Sequence, residues 1–190
     1  KPNKFLKDVK NILHKDGLFI LEFADLASIL KKKMFDTICH EHLEYYSTNV
    51  INEMCKKNEL KIIDIKSNEI NGSSKQFHIA HKKSIYKQNK KVIKSTLKSE
   101  KKMKLDSVKT LKKFFKEINI IKSKLLKLLS LIKRNKKSIH AYGASTKGNV
   151  LLQYFGIGRN FIDFVAERNP NKFNLYTPGT AIKIVSERIS

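Results

Sequence analysis

Residues 35–47 concentrate side chains that can move protons. They read Phe-Asp-Thr-Ile-Cys-His-Glu-His-Leu-Glu-Tyr-Tyr-Ser and include His40, Glu41, His42 and Tyr45. Histidine titrates near neutral pH, and an adjacent carboxylate can orient the ring or raise its basicity. A tyrosine hydroxyl can donate a hydrogen bond to a substrate carbonyl. The segment is therefore a candidate centre for general acid–base catalysis.

The histidine pair has two other possible interpretations. His40 and His42 are two residues apart, so in an extended backbone their side chains share one face, and both could bind a metal ion. Two ligands are too few for a metal site and no HExxH-type pattern accompanies them, so we predict no metal site. The histidines could instead be structural and hydrogen-bonded to their neighbours. Spacing alone does not decide between a structural and a catalytic role.

A second candidate site is a loop with a glycine at each end. Residues 143–148 read Gly-Ala-Ser-Thr-Lys-Gly and stand between a predicted strand at 138–142 and a predicted helix that begins at Asn149. The N-terminus of a helix presents free backbone N–H groups and the positive end of the helix dipole, which suits a phosphate. The loop matches neither the Walker pattern nor GxGxxG. Tight-turn packing therefore remains the alternative explanation for its glycines.

The elements that must position these residues follow an α/β pattern. Apolar spacing predicts a helix at 4–15, and the apolar run at 18–23 predicts a buried parallel strand. Ligands of doubly wound sheets bind beyond the carboxyl ends of the strands, and the loop after this strand leads into the histidine cluster. Further along we predict a helix at 48–58, antiparallel edge strands at 60–65 and 76–80, one long or two consecutive amphipathic helices within 83–136, and a second α/β pattern with strands at 138–142, 161–166 and 181–185.

Composition limits the classes of partner. The formal net charge of +23 suggests a polyanionic partner. However, the basic residues are almost all lysine, whereas nucleic-acid recognition favours arginine for bidentate and stacking contacts. Lysine, isoleucine and asparagine are enriched together, as AT-rich codons produce, so codon bias accounts for the charge and we predict no nucleic-acid partner. The arginines are Arg134, Arg159, Arg168 and Arg188.

Cysteine usage and apolar runs bear on the compartment. Cys39 and Cys55 stand at unrelated positions, so the sequence encodes neither a disulfide framework nor a cysteine-type zinc site. The longest apolar runs fall short of the roughly 20 residues that cross a bilayer. We therefore predict a cytoplasmic protein without a membrane partner.

Several motifs in a fixed order resemble one family, the S-adenosylmethionine-dependent sugar C-methyltransferases, which act on nucleotide-linked 4-keto-deoxysugars. The motifs span nearly all of the chain, which makes the resemblance more specific than any one of them. They are the segment 35–47, Asn-Gly-Ser-Ser at 71–74, Tyr-Gly-Ala-Ser-Thr-Lys-Gly-Asn at 142–149, Arg-Asn-Pro-Asn-Lys at 168–172 and Tyr-Thr-Pro-Gly-Thr at 176–180.

The resemblance implies an α/β fold made of two parts. Residues 1–82 are expected to be the C-terminal part of a Rossmann-like methyltransferase domain. Residues 83–190 are expected to form a helical segment and a second, truncated Rossmann-like α/β domain that binds the substrate. In the family a four-cysteine zinc site and the glycine-rich S-adenosylmethionine loop precede these parts. The chain, which starts at Lys1 without Met, is therefore expected to be a fragment that lacks both the zinc site and the donor site.

The resemblance also implies roles for the histidine cluster. His42 would remove the proton next to the sugar ketone, with Glu41 beside it. The resulting enolate needs hydrogen-bond donors at its oxygen. Some relatives carry tyrosine where this chain has Cys39, so His40 or Tyr45 is the candidate donor here.

Two turns are the candidate contacts to a nucleotide-diphosphate sugar. One turn contains Asn71, Gly72 and Ser73, and the other is the glycine-bracketed loop, in which Lys147 would add positive charge. The alternative function is a non-catalytic module that binds nucleotide sugars. The sequence does not indicate an oligomeric state. The candidate residues of the glycine-bracketed loop are Gly143, Ser145, Lys147 and Gly148.

Overall fold

The computed structural model is a mixed α/β structure with two small sheets. It describes residues 1–189, apart from the side chain of Asn71. The chain divides into two compact units. The first unit comprises residues 1–34 and 44–112, and the second comprises residues 35–43 and the chain from Lys113 onward.

The first unit contains a three-stranded antiparallel sheet and four helices. In chain order these elements are α1 (Pro2–Ile12), β1 (Phe19–Phe23), α2 (Leu26–Lys32), α3 (Thr48–Lys57), β2 (Leu60–Asn68), β3 (Ser74–His81) and α4 (Lys90–Met103). The strand order is β1-β3-β2, with β3 antiparallel to both neighbours. β1 and β2 consequently run parallel to each other.

β1 differs from the prediction made from its apolar run. A buried parallel strand was expected, but β1 pairs antiparallel with β3, with Phe19 opposite Ile79. Its side chains alternate between half-buried and exposed, and Ile20 is 52% exposed. Ring stacking of Phe23 on Phe77, at 5.3 Å between centroids, shows which face meets the core. A short apolar run specifies a strand but not the direction of its partner, because either pairing can bury one face.

The core of the first unit joins three helices to the sheet. α1 presents Leu6 to it, which explains the helical spacing of apolar residues in that segment. β2 and β3 alternate inward and outward along their length, with a register shift between Ile62 and Asp64. The buried core residues are Leu6, Ile51, Met54, Cys55, Leu60, Ile62, Ile65, Phe77, Ile79 and Ile93.

The second unit is built on a three-stranded parallel sheet. Its elements are α5 (Val108–Arg134), which begins in the first unit, followed by β4 (His140–Tyr142), α6 (Thr146–Phe155), β5 (Phe164–Glu167) and β6 (Ile184–Ser186). The strand order is β4-β5-β6, with α6 as the crossover between β4 and β5. Parallel strands require such a crossover.

The helical region before this sheet is confirmed as two consecutive helices, α4 and α5. β5 begins later than the predicted residue 161, because the amides of Phe161 and Ile162 both donate to the Gly158 carbonyl in a turn. In the described part of the chain, no helix combines the length and the apolar character that crossing a membrane requires.

Candidate active site

Residues 35–47 are the segment that carries the candidate acid–base residues. Its first part, residues 35–43, packs within the second unit. Phe35 is buried, and its ring stacks on Phe155 of α6 with 5.0 Å between the centroids. Phe35–Thr37 forms one turn of 3-10 helix, closed by a bond from the Ile38 amide to the Phe35 carbonyl. This aromatic contact anchors the segment immediately before the histidines.

His42 is oriented by a backbone carbonyl. Its Nδ1 atom lies 2.7 Å from the carbonyl oxygen of Thr37, a residue that is buried. A carbonyl oxygen only accepts, so Nδ1 carries the hydrogen, and in the neutral ring the lone pair is on Nε2. The amide of His42 also donates to the Cys39 carbonyl at 3.1 Å. This arrangement suits a general base that acts through Nε2.

Glu41 lies between the two histidines as an ionised carboxylate. A hydrogen bond from the Cys39 thiol lowers the pKa of Glu41, and its own backbone amide and the two histidines act in the same direction. Burial raises the pKa of the Cys39 thiol, and the bond to Glu41 adds to the effect. His40 Nδ1 lies 3.4 Å from Glu41 Oε2, and its side chain is 90% exposed. The carboxylate can therefore stabilise positive charge that develops on either ring.

Within residues 1–189, no group of three His, Cys, Asp or Glu side chains is arranged to hold a metal ion. Of the two histidines in the segment, His42 contacts Thr37 and His40 contacts Glu41.

The tyrosines that follow belong to the first unit and differ in their surroundings. The Tyr46 hydroxyl donates to the Glu44 carboxylate, and its ring packs edge-on against Phe23 at 5.9 Å, so Tyr46 supports the core. Tyr45 is half-buried and lines a cavity of about 610 Å³. Polar and charged groups stand around a mainly apolar wall, as in sites for small molecules. The other lining residues are Leu26, Ser47, Asn49, Val50, Leu97, Lys98, Glu100, Lys101, Leu105 and Asp106.

The turn at 70–74, also in the first unit, is held by local contacts. Gly72 has φ +96°, which favours glycine, and an added Cβ would lie 3.1 Å from Met34 Cε. Lys32 Nζ donates to the Gly72 carbonyl at 2.9 Å. Ser73 is buried, and its hydroxyl donates to Ser28 Oγ at 3.3 Å. The predicted contact through the Asn71 side chain lies outside the described part of the chain. A substrate contact at this turn remains a prediction.

The glycine-bracketed loop connects β4 to α6 in the second unit. Gly143 has φ +89°, and its amide donates to the Ala166 carbonyl at 2.7 Å. Ser145 caps α6, since its Oγ accepts from the Gly148 amide at 3.0 Å. A Cβ at position 148 would lie 3.2 Å from that hydroxyl. The loop thus brings three predicted residues together in a tight turn, and Lys147 lies in the first turn of the helix.

Sequence reasoning missed a carboxylate that binds this loop. Glu167, at the end of β5, accepts from the Ala144 amide at 3.0 Å and from Lys172 Nζ at 3.2 Å. The amides of Asn169, Ala144 and Arg168, together with Lys172, lower the pKa of Glu167 to about 2. The Ala144 amide of the loop therefore binds the Glu167 carboxylate rather than a phosphate.

A second missed group lies beyond the same strand ends. The strands are parallel, so the residues that follow β4, β5 and β6 share one edge of the sheet. There the Tyr142 hydroxyl donates to Glu187 Oε2 at 2.6 Å, and Arg168 Nε donates to the same oxygen at 3.0 Å. Both bonds lower the pKa of Glu187, and the bond to Glu187 raises the pKa of Tyr142. Tyr142 and Arg168 both belong to the motifs that resemble the family. Their presence in those motifs is the sequence feature that could have identified this group.

The predicted residues are distributed over both units. The candidates in the first unit are Tyr45, Gly72 and Ser73, and those in the second are His40, Glu41, His42, Gly143, Ser145, Lys147 and Gly148.

Two comparisons with known proteins agree. A sequence profile described as the C-methyltransferase C-terminal domain matches residues 69–189. A Streptomyces niveus protein named C-methyltransferase NovU is 27% identical over 184 residues. This alignment covers 97% of the chain and 44% of the relative, so the chain spans less than half of that protein's length.

Proposed function

This chain belongs to the C-methyltransferase C-terminal domain family, and from that premise we propose that the protein methylates a nucleotide-linked 4-keto-deoxysugar. The methyl group goes to a ring carbon next to the ketone. The observation that carries this proposal is the bond from His42 Nδ1 to the Thr37 carbonyl, which leaves Nε2 as the basic atom of the ring. S-adenosylmethionine is the proposed methyl donor, and the related C-methyltransferase supports this class of reaction.

The first chemical step is proton abstraction. A ketone acidifies the neighbouring C–H bond, so Nε2 of His42 takes the proton and the electron pair moves onto the ketone oxygen as an enolate. The Glu41 carboxylate stabilises the imidazolium that forms. His40 or Tyr45 donates a hydrogen bond to the enolate oxygen, which favours the transition state over the ground state.

The residues of this chain thus generate a carbon nucleophile next to the ketone. When bound, S-adenosylmethionine would supply an electrophilic methyl group to that carbon, as its sulfur–methyl bond breaks and a neutral thioether leaves. In this chain β1 leads directly to the cap of α2 through Ala24 and Asp25, with no glycine between Phe23 and Leu26. The connection does not form a glycine-rich loop for the donor, so we assign the donor site to none of these residues.

We also propose the two-part organisation expected from the resemblance. Residues 1–82 are the end of a Rossmann-like methyltransferase domain, which is supported by β3 lying antiparallel between β1 and β2. Residues 83–190 form the substrate-binding α/β domain, which is supported by the parallel sheet and the crossover helix α6.

The nucleotide-diphosphate sugar is proposed to contact two turns, one containing Asn71, Gly72 and Ser73 and the other residues 143–148. Support for the second turn comes from its place at the carboxyl ends of the parallel strands and at the start of α6, with Lys147 in the first helical turn. Because Glu167 occupies the Ala144 amide, we assign the remaining contacts to Ser145, Lys147 and Gly148.

Proton exchange in heavy water tests the proposal. The full-length protein that contains this chain is incubated with a 4-keto sugar nucleotide, and mass spectrometry measures deuterium entering beside the ketone. We expect His42→Ala to slow the exchange by at least about 100-fold. The matched control is His14→Ala, which removes an exposed histidine of the first unit and should leave exchange unchanged.

Two outcomes would contradict this proposal in different ways. Normal exchange in His42→Ala would remove His42 as the base. Tight binding of the sugar nucleotide with neither exchange nor methyl transfer in the wild type would instead establish the non-catalytic binding module.

A further inference from the structure

A buried ionic cluster in the first unit has no role in the reaction described above. Lys75 Nζ lies 2.9 Å from Asp25 Oδ1, 2.9 Å from Glu100 Oε1 and 3.2 Å from Thr48 Oγ1. Lys75 is 8% exposed, Glu100 is 4% exposed and Asp25 is fully buried. Charged groups are costly to remove from water, so a cluster of this kind contributes less stability than an apolar core and is a candidate for a specific positioning role.

One carboxylate of the cluster holds the beginning of the segment 26–47. Asp25 Oδ1 accepts from the Ser28 amide at 3.3 Å and caps α2, which starts at the next residue. The Leu26 amide donates to the Tyr46 carbonyl at 2.9 Å, so the two ends of the segment are also bonded directly. The position where the chain leaves β1 is therefore tied to Lys75.

The other carboxylate holds the end of the same segment. Glu100 Oε1 accepts from the Thr48 amide at 3.0 Å, and its Oε2 accepts from the Asn49 amide at 3.2 Å. These are the first two amides of α3, and the third, from Val50, donates to Ser47 Oγ at 3.3 Å. Free amides at a helix start need such acceptors. Glu100 thus fixes the first turn of α3, and Lys75 fixes Glu100.

We propose that Lys75 is a positioning residue that fixes both ends of the segment 26–47 and thereby places Tyr45 in its cavity. Glu100 lines the same cavity of about 610 Å³ as Tyr45, together with Leu26 and Asn49 from the two ends of the segment. Lys75 links Asp25 to Glu100. The effect of Lys75 on catalysis rests on the proposed function. The effect of Lys75 on the start of α3 does not depend on that function.

Removing the ammonium group of Lys75 distinguishes a positioning role from a purely stabilising one. In Lys75→Met, Asp25 and Glu100 repel each other, so Glu100 withdraws and the amides of Thr48 and Asn49 lose their acceptors. We expect kcat for methyl transfer to fall about tenfold or more, because small displacements of catalytic groups are costly. The KM for the methyl donor should stay unchanged. Lys75→Arg keeps the charge and should restore most of the activity.

The experiment uses the full-length protein, at a temperature at which circular dichroism shows every variant to be folded. Hydrogen–deuterium exchange is measured at Thr48 and Asn49 alongside kcat and KM. The matched control is Lys133→Met, which breaks the Lys133–Asp163 ion pair of the second unit and should leave both readouts unchanged. If Lys75→Met does not fold, Lys75→Gln replaces it, because this uncharged side chain also leaves the repulsion between Asp25 and Glu100 uncompensated, and the same results are expected.

Faster amide exchange at Thr48 and Asn49 together with lower kcat supports the proposal. Unchanged exchange, or normal kcat in a folded Lys75→Met variant, overturns it. If the wild type itself neither methylates the sugar nor exchanges its proton, the proposed function fails, and the amide exchange at Thr48 and Asn49 still decides whether Lys75 fixes the start of α3.

Discussion

The Nδ1 atom of His42 donates its hydrogen to the carbonyl oxygen of Thr37 at a distance of 2.7 Å. Thr37 ends the helical turn that Phe35 begins, and Phe35 stacks on Phe155 in the interior of the second unit. The imidazole is therefore tied to a packed core through the Thr37 carbonyl. The aromatic contact of Phe35 thus supports the orientation of the candidate base.

Phe35→Ala should disturb both stability and catalysis. The substitution leaves a cavity beside Phe155, and we expect the free energy of unfolding to fall by about 3 kcal/mol. The Thr37 carbonyl loses its support, so deuterium exchange into the substrate should slow even in the folded fraction. Urea denaturation and the exchange assay measure the two effects.

The control for this variant is Phe5→Ala, at a ring that is 53% exposed. That change should cost about 1 kcal/mol or less and leave exchange unaffected. Equal losses of activity in the two variants, measured per folded molecule, would show that Phe35 does not orient His42.

The thiols should differ in reactivity. Burial raises the pKa of Cys55 to about 12, so a thiol-alkylating reagent should leave Cys55 unmodified in the folded protein. Cys39 is only partly buried and should react slowly, because burial and Glu41 both raise the pKa of its thiol. Glu41→Gln removes part of that effect and should speed the alkylation of Cys39. Mass spectrometry locates the modification, and an unchanged rate would mean that the thiol does not bond to Glu41.

Local patterns predicted most of the elements around the site. The spacing of apolar residues indicated α1 and the α4–α5 region, and the bracketing glycines indicated the turn before α6. These features depend on near neighbours in sequence. The direction of β1 does not, because it is set by Phe77 and the rest of β3, far along the chain.

The buried ionic cluster could not be predicted for the same reason. Asp25, Lys75 and Glu100 are distant in sequence, and in so lysine-rich a chain one more lysine carries no signal. The sequence did not indicate the role of Glu167 either, because Glu167 binds the Ala144 amide, which follows a different strand of the parallel sheet. In each case the missing information is a pairing between distant residues, which composition and periodicity do not contain.

Gly143→Ala should weaken substrate binding. No atom lies within 4 Å of the position that a Cβ would occupy, so the cost comes from the backbone, whose φ of +89° is unfavourable for alanine. We expect stability to fall by about 1–2 kcal/mol and the affinity for the nucleotide sugar to fall as the loop relaxes. Gly156→Ala is the matched control, with φ +70° and equally open space at the end of α6. Calorimetric titration should show normal affinity in that control, and equal affinity in both variants would exclude the loop from the binding site.

Acid titration should reveal the carboxylate that binds this loop. The pKa of Glu167 is about 2 in the folded protein, against an ordinary value of 4.5. Between these two values the unfolded chain binds more protons, so the contribution of Glu167 is complete above about pH 4.5 and is lost as the pH falls toward 2. Urea denaturation of the wild type and of Glu167→Gln should therefore show a stability difference that is constant near neutrality and shrinks in acid. If the stability difference between the wild type and Glu167→Gln persists unchanged to low pH, the amides of Ala144 and Asn169 do not stabilise the Glu167 carboxylate. These amides would then be open to an external anion.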